Sequence, residues 1–255
     1  MRALITNDDG IESPGLHCLA QVARDRGLGV VVAAPLTEAS GSSAAINARQ
    51  DEGRIVVEER TLPGLHGVEA YGVAASPAFI ALIATRGAFG QPPDLVLSGI
   101  NRGANVGHAI LHSGTVGAAL TGNAYGCRAM AVSLNVGLEP EQPAHWDTAA
   151  RLTATLLPLV TDSDLVAVNL NVPDQPIEKI KGVRRGSLAA FGIVQMNIAE
   201  VGEDYVRMSV AESDEELRPG TDAYWLAGGY ACVTPLRFVC EAAEVRLPLE
   251  SLRPA

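Results

Sequence analysis

The sequence predicts an α/β fold with an open, doubly wound and mostly parallel sheet, on two observations. Short apolar runs alternate along the chain with longer segments in which apolar residues recur at helical spacing. This alternation is typical of repeated strand–helix–strand units. The 255 residues are 47% hydrophobic but only 4% aromatic, so the core consists mainly of Ala, Val, Leu and Ile, which suits parallel strands covered by helices.

The first strand–helix–strand unit lies at the N-terminus. The apolar run 3–6 predicts a buried strand, and Pro14 opens a segment with apolar residues at helical spacing. The run 30–35, which ends at Pro35, predicts a second strand. Such a unit implies two parallel strands that are joined by a right-handed crossover.

The alternation continues to about residue 185. Residues 41–64 predict a loop and an antiparallel excursion, and Ser76 and Pro77 are typical of an N-cap and a first helical residue. The remaining predicted elements are helices at 76–84, 114–126 and 146–160 and strands at 94–98, 129–134 and 165–172.

The C-terminal part of the chain has a looser pattern. Residues 203–213 and 230–239 alternate in the manner of hairpin strands. We therefore predict one domain, 1–255, with a core at 1–185 and an extension of two-stranded arms at 186–255. Since an isolated two-stranded arm is only marginally stable in water, the extension is expected to pack on another subunit.

The net charge of −10 limits the partners of this chain. It disfavours nucleic acid polymers and anionic membrane surfaces, and no apolar run approaches the ~18 residues that span a bilayer. Because the first residues enter a strand without a signal-peptide pattern, a cytoplasmic location is expected. The same charge repels small phosphorylated substrates unless a cation at the site inverts the local field.

The four cysteines lie at positions 18, 127, 232 and 240. No two of them form a CxxC pair. We expect reduced structural thiols, with a link between Cys232 and Cys240 as the alternative.

Polar segments follow the predicted strands where ligands bind in open parallel sheets, beyond the carboxyl ends. "NDDG" (7–10) follows the first strand, "TEASGSS" (37–43) the second, and "SGINRGANVG" (98–107) a later one. "HSGTVG" (112–117) then leads into a helix. These segments are expected to converge.

The adjacent acids Asp8 and Asp9 raise an electrostatic problem. Two carboxylates about 4–5 Å apart repel by roughly 1 kcal/mol in water, and by several times more in a desolvated cleft. Residues 4–15 contain no Lys or Arg, so a hard divalent cation, held with a Ser hydroxyl and an Asn carbonyl, is the economical remedy. The alternative is a turn with helix-capping acids, since Asp-Gly is a common turn signal.

The segment from Ser113 to Thr115 starts a helix and offers free backbone N–H groups at the positive end of its dipole, which suits a phosphate. Gly99, Gly103 and Gly107 are spaced by four, which is neither the dinucleotide fingerprint nor a P-loop. The alternative is a glycine-rich connector followed by an ordinary cap.

The chain resembles the SurE family of metal-dependent 5′-nucleotidases, the survival-protein phosphatases. The motifs that carry the resemblance follow one another in family order from end to end. They are "LITNDDGIESPGL" (4–16), "AAPLTEASGSS" (33–43), "PDLVLSGINRGANVG" (93–107), "HSGTVGAA" (112–119), "NLNVPD" (169–174) and "TDAYWLAGGYACVTPL" (221–236).

The resemblance implies a Rossmann-like core, C-terminal arms that build homodimers or homotetramers, and hydrolysis of nucleoside 5′-monophosphates, in some members also of short polyphosphate. It implies one Mg²⁺ or Mn²⁺ per subunit. The family's metal ligands fall on Asp8, Asp9, Ser40 and Asn101. Phosphate contacts are expected from Asn101, Ser113, Gly114 and Thr115, with Asn105 close by.

The chain departs from the family pattern near the expected cleft. Phe79 stands where the family usually has an acid, Ala75 where it has a glycine, and His112 where it commonly has a tyrosine. The metal set is intact, so the departures bear on the leaving group: a sugar or secondary-metabolite phosphate is an alternative substrate. His112 either touches the substrate, as a contact or proton donor, or packs in place of the tyrosine, and Arg102 either pairs with phosphate or is solvated.

The expected mechanism uses a metal-activated water whose proton passes to Asp8 or Asp9, while N–H groups near Gly114 and Thr115 stabilise the transferred charge. A phospho-aspartyl route through Asp8 is the rival, and the absence of a DxDxT arrangement favours water. An alternative of another class is a non-catalytic nucleotide-binding protein on the same fold.

Overall fold

The computed structural model describes residues 1–137, 143–162, 167–192, 194–212, 216–242 and 244. Its strands are β1 (Arg2–Thr6), β2 (Gly29–Pro35), β3 (Gln50–Asp51), β4 (Arg54–Ile55), β5 (Val57–Arg60), β6 (Glu69–Val73), β7 (Leu95–Arg102), β8 (Arg128–Asn135), β9 (Ala167–Pro173), β10 (Val183–Arg185), β11 (Val194–Val201), β12 (Val206–Glu212) and β13 (Ala231–Leu236). Its α-helices are α1 (Pro14–Asp25), α2 (Pro77–Thr85), α3 (Gly114–Ala124), α4 (Trp146–Thr161) and α5 (Asp222–Ala227). Short 3₁₀ helices lie at Gly107–His112 and Ile177–Lys179.

Nine of the strands in the described residues form one central sheet, in the order β10-β13-β9-β8-β7-β1-β2-β6-β5. The six strands from β9 to β6 are mutually parallel, which confirms the predicted fold class. The chain first builds outward from β1 through β2 to β6, and then returns to the other side of β1 with β7. The sheet therefore has its topological switch point between β1 and β7, where α/β proteins bind their ligands.

The helices cover both faces of this sheet. One core layer packs α1 and α4 against it through side chains such as Leu16, Leu19 and Leu152. The other layer packs α2 and α3 through Ile80 and Val116. Aliphatic side chains dominate both layers, as the composition predicts.

Serine caps fix where two of these helices begin. The hydroxyl of Ser13 accepts the backbone N–H of Leu16, and Pro14 follows it at the first position of α1. The hydroxyl of Ser113 accepts the N–H of Val116 and starts α3. Each cap satisfies an N–H that would otherwise lack an intrahelical partner, and each sets a helix directly behind a polar loop.

The assignment of residues 230–239 to an arm is wrong. Ala231–Leu236 (β13) pairs antiparallel with β9 inside the central sheet, and β10 pairs parallel with β13 at its edge. The alternating pattern of this segment is that of a sheet strand, but sequence periodicity does not reveal which strand it joins.

Outside the central sheet, the described residues form two two-stranded elements, β3 with β4 and β11 with β12. The hairpin of β11 and β12 leaves Ile198, Val201, Val206 and Met208 between 50% and 69% exposed. The last residues of the predicted extension, 245–255, lie outside the described residues. The division into core and extension at residue 185 stays a prediction.

Two further expectations concern cysteines and membranes. All four cysteines, which lie in the described part of the chain, are free thiols, so the alternative link between Cys232 and Cys240 is absent. Among the described helices, none combines the length and apolarity that crossing a bilayer requires.

Replacing Gly117 by Ala is expected to destabilise the protein, although alanine is the better helix former. A Cβ at this position of α3 would lie 2.2 Å from the carbonyl oxygen of Ser43 and 2.8 Å from the nitrogen of Ala44. Overpacking against backbone costs about 1–3 kcal/mol, which exceeds the ~1 kcal/mol gain in helix propensity. Urea denaturation measures the change. Gly137→Ala is the control, because its Cβ meets nothing within 4 Å, and equal stability of the two variants would contradict the assignment of a tight contact.

Candidate functional site

The loops at the switch point enclose one large cleft, of about 1300 Å³. It lies at the carboxyl ends of β1 and β7, where the sequence analysis placed the site. Seven of the predicted site residues line it, namely Asp8, Asp9, Ser40, Asn101, Asn105, His112 and Ser113. The other two, Gly114 and Thr115, contact Asp8 from the first turn of α3.

Asp8 is buried, with 5% of its surface exposed. The hydroxyl of Thr115 donates a hydrogen bond to its Oδ1. Burial raises the pKa of Asp8, and hydrogen bonds from that hydroxyl and from backbone N–H groups, including those of Thr115 and Gly114, oppose the rise. The carboxylate is therefore held at the positive end of the α3 dipole.

Asp9 lies beside Asp8 but is held by β7. Burial, the negative charge of Asp8 and, to a smaller extent, that of Glu38 raise its pKa to about 6. The backbone N–H of Arg102 opposes the rise by donating to Asp9 Oδ2 at 3.1 Å. Among the described residues, four carboxylates line the cleft: Asp8, Asp9, Glu12 and Glu38. The sequence analysis identified the first two and missed the others.

The loop after β2 reaches Asp8 through its backbone. The N–H of Ala39 donates to the carbonyl oxygen of Asp8 at 2.7 Å. The hydroxyl of the next residue, Ser40, donates a hydrogen bond to Glu38 Oε1 at 2.6 Å. Its oxygen keeps lone pairs that can bind a cation.

Asn101 is presented at a break in β7. The pairing of β7 with β8 shifts register between Ser98 and Asn101, and a Cβ on Gly99, whose φ is +136°, would lie 2.3 Å from the carbonyl oxygen of Val132. Only glycine fits this turn. The side-chain nitrogen of Asn101 donates to the carbonyl of Gly103 at 2.7 Å, so its side-chain oxygen is the atom available to a cation.

These four residues fit a hard divalent cation. Their donors are two carboxylates, a hydroxyl and an amide oxygen, which are the ligands that Mg²⁺ and Mn²⁺ prefer. Within the described residues, no group of three or more His, Cys, Asp or Glu side chains is arranged to hold a metal. The neutral oxygens of Ser40 and Asn101 are therefore needed to complete such a site.

The first turn of α3 packs closely against Asp8 and Ser42. A Cβ on Gly114 would lie 2.9 Å from Asp8 Oδ2 and 2.5 Å from the hydroxyl of Ser42, so only glycine allows the helix to approach Asp8 this closely. That hydroxyl is buried and has no hydrogen-bond partner in the described part of the chain. An unpaired buried hydroxyl costs about 1–3 kcal/mol.

Asn105 is part of a network that the sequence analysis missed. Its backbone N–H donates to Asn171, its side-chain nitrogen donates to Ser133, and its carbonyl accepts from Asn169 and Asn171, each at 2.8 Å. Asn169 and Asn171 are fully buried in β9. The presence of two asparagines in an otherwise apolar strand was the sequence signal that could have indicated this hydrogen-bond network.

The other end of this loop is held by Asp222, which is fully buried. Its carboxylate accepts the backbone N–H of Gly107 at 2.8 Å and that of Ala189 at 2.9 Å. The C-terminal part of the chain thus fixes the loop from residue 105 to residue 107. Asp222 lies in the motif 221–236 that the chain shares with the SurE family, but nothing in the sequence predicts its contact with Gly107.

Two of the residues that depart from the family pattern, His112 and Phe79, differ in their position relative to the cleft. His112 is exposed and lines it, while its backbone carbonyl accepts the N–H of Ser43. Phe79 is partly buried on α2 and is not among the described residues that line the cleft. Arg102 lines the cleft with an exposed side chain, and its link to Asp9 runs through the backbone.

The Asp9→Asn variant is expected to be more stable than the wild type at pH 7.5 in EDTA, and no more stable at pH 4. The pKa of Asp9 is about 6 in the folded protein, against an ordinary value of 3.8. The folded protein therefore binds a proton on Asp9 more tightly than the unfolded chain does. The stability that this proton contributes is lost as the pH rises from about 4 through 6. Thermal unfolding at the two pH values measures the difference.

The exposed carboxylate Glu178 provides the control for this experiment. The Glu178→Gln variant should show no comparable dependence on pH. An Asp9→Asn variant that is less stable than the wild type at pH 7.5 would contradict the like-charge argument.

Comparisons with known proteins agree with the motifs and with the fold. A family model described as "Survival protein SurE" matches residues 3–193. The chain is 35% identical to the 5′-nucleotidase SurE of Nitratidesulfovibrio vulgaris (strain DP4), over 99% of both chains. It is 34% identical to that of Dehalococcoides mccartyi (strain CBDB1), over 92% of this chain and 88% of the relative.

A solved structure gives the same result for the fold. The crystal structure of the SurE protein from Aquifex aeolicus superposes with a TM-score of 0.76 and 27% sequence identity, and covers 96% of each chain. The family match, the relatives and the fold agree, and the chain belongs to the SurE family.

Proposed function

We propose that this protein is a metal-dependent phosphomonoesterase that hydrolyses nucleoside 5′-monophosphates to a nucleoside and phosphate. The observation that carries the proposal is the meeting of Asp8, Asp9, Ser40 and Asn101 in one cleft at the switch point. Relatives that are about 35% identical over nearly the whole chain carry the name 5′-nucleotidase. That name supports hydrolysis of a nucleotide phosphomonoester.

Asp8, Asp9, Ser40 and Asn101 would hold one Mg²⁺ or Mn²⁺. A divalent cation in such a site neutralises phosphate charge and lowers the pKa of water near it. Such a cation would also offset the charge of the carboxylates that line the cleft, so that an anionic substrate can enter an acidic protein.

The residues of the chain supply orientation and proton transfer. Asp8 is held by Thr115 and by the first turn of α3, and Asp9 by the backbone of Arg102. We assign to Asp8 or Asp9 the proton of the attacking water, whose oxygen bonds to phosphorus as the bond to the ester oxygen breaks. The ester oxygen takes up one proton and leaves as the hydroxyl of the nucleoside. The N–H groups of Gly114 and Thr115 donate to Asp8, so we assign them the orientation of this carboxylate, while the positive end of the α3 dipole favours the charge that develops on the phosphoryl oxygens.

The geometry around Asp8 favours water over Asp8 as the nucleophile. Its Oδ1 accepts the Thr115 hydroxyl, and its Oδ2 lies against Gly114. A carboxylate that is buried and engaged in this way is better placed to hold a group than to attack phosphorus.

A second candidate function keeps the chemistry and changes the substrate. His112 lines the cleft, so its replacement of the family tyrosine alters the wall that a leaving group meets. This observation favours a phosphorylated sugar or other small metabolite. A panel of nucleoside monophosphates and sugar phosphates distinguishes the two candidates.

The exposed hairpin of β11 and β12 supports an oligomeric enzyme. Its half-exposed apolar side chains, among them Ile198 and Met208, would be covered by a second copy of the chain. We therefore propose a homodimer or homotetramer.

Asp8→Asn is expected to abolish phosphate release from nucleoside 5′-monophosphates while the protein stays folded.

Thr115→Val, which removes the hydroxyl that orients Asp8, should lower metal affinity or turnover by about 10–100-fold. Turnover should require Mg²⁺ or Mn²⁺ and stop in EDTA. Phosphate release and circular dichroism are the measurements.

Thr155→Val is the matched control, because Thr155 lies on the exposed face of α4 and donates only to the carbonyl of Arg151. It should leave turnover unchanged. Undiminished phosphate release by Asp8→Asn, or by the wild type in EDTA, would sink the proposal, and binding of nucleotides without any turnover would favour the non-catalytic alternative.

A further inference from the structure

We infer that Trp146 is the platform on which the base of a nucleotide substrate stacks, and that it sets the preference for an aromatic leaving group. The inference rests on the proposed function, and it identifies the substrate class of the same cleft. Trp146 is half-buried and lines the cleft that holds Asp8 and Asn101. The mechanism above gives this side chain no role.

The ring of Trp146 lies close to the catalytic end of the cleft. A Cβ on Gly15 would lie 3.0 Å from Cζ3 of the ring and 2.0 Å from the carbonyl oxygen of Ile100. The ring edge and residue 100 are therefore neighbours, and residue 101 is the asparagine of the cation site. A nucleoside attached to a phosphate at that site would reach the ring.

The position of the ring is fixed from behind. Trp146 is the first residue of α4, and the preceding His145 is anchored on Asp174, which accepts its backbone N–H at 2.7 Å and contacts its Nδ1 at 2.9 Å. Thr148 donates to the carbonyl of Gln175 at 2.9 Å. Because α4 is attached in this way to the end of β9, little freedom is left to lose when a base stacks.

The lining of the cleft has apolar residues beside its carboxylates. They include Val106, Ala109, Val136 and Ala144, and Val136 and Ala144 pack against the same hydrophobic core as Trp146. The cleft thus offers oxygen ligands for a phosphate with a cation and apolar surface for a flat group. A nucleoside monophosphate has both parts, whereas a sugar phosphate lacks the second.

The Trp146→Ala variant should lose most of its preference for nucleotides. Stacking of a base on an aromatic side chain is worth about 1–3 kcal/mol, or roughly 10–100-fold. We expect kcat/KM for AMP to fall by about that factor and kcat/KM for ribose 5-phosphate to stay within about twofold. Trp146→Phe, which keeps a ring, should retain most of the preference.

A binding measurement separates this inference from the proposed function. The chain has two tryptophans, so Trp225→Phe leaves Trp146 as the sole indole. Adenosine, which carries no phosphate to hydrolyse, should quench the fluorescence of this variant, and ribose 5-phosphate should not. This readout works even if no substrate is turned over.

Two results would overturn the inference. Trp146→Ala could lower kcat/KM for AMP and ribose 5-phosphate by the same factor, which would assign the ring a purely structural role. Alternatively, adenosine could leave the fluorescence unchanged at concentrations that saturate AMP turnover. If AMP and ribose 5-phosphate both resist hydrolysis while adenosine quenches, the proposed function fails and the stacking site stands.

Discussion

The contact between the carboxylate of Asp8 and the first turn of α3 is the interaction on which the rest of the site depends. Asp8 follows the first strand, and Gly114 and Thr115 begin a helix more than a hundred residues later. Their meeting brings the helix dipole, the loop after β2 and the end of β7 around one point. Gly117 then seats the same helix on the backbone of Ser43, so the loop that carries Ser40 is placed by the helix that holds Asp8.

The loop that follows β7 is rigid for a separate reason. Asn105 is bonded through its backbone and its side chain to β8 and β9, and Gly107 is bonded to Asp222 from the C-terminal part of the chain. These partners are buried, so the hydrogen bonds are made in a low dielectric, where leaving them unmade is costly. The C-terminal segment therefore contributes to the geometry of the cleft through Asp222, although none of its residues has a role in the proposed mechanism.

Local signals predicted the elements of the fold but not the long-range pairings that complete it. The caps at Ser13 and Ser113 and the acids after β1 are readable because each acts on its own neighbours. The place of β13 beside β9, the hold of Asn171 on Asn105 and the contact of Trp146 with Gly15 join residues far apart in sequence. Periodicity carries no information about which distant segment a residue meets, whereas the parallel topology predicts that strand ends converge.

The dipole of α3 is too weak to bind a phosphate on its own, because the carboxylates of the cleft repel it. A helix N-terminus stabilises an anion by about 0.3–1 kcal/mol, and by ~2 kcal/mol in a favourable buried geometry. Two unit charges about 5 Å apart at an effective dielectric constant of 20 repel by roughly 3 kcal/mol, and the cleft places Asp8, Asp9 and Glu38 close to any phosphate that approaches α3. This repulsion exceeds the stabilisation by the dipole, which is the reason for proposing that a cation accompanies the bound phosphate. The raised pKa of Asp9, which results from burial and then from the charge of Asp8, is consistent with the same accumulation of negative charge.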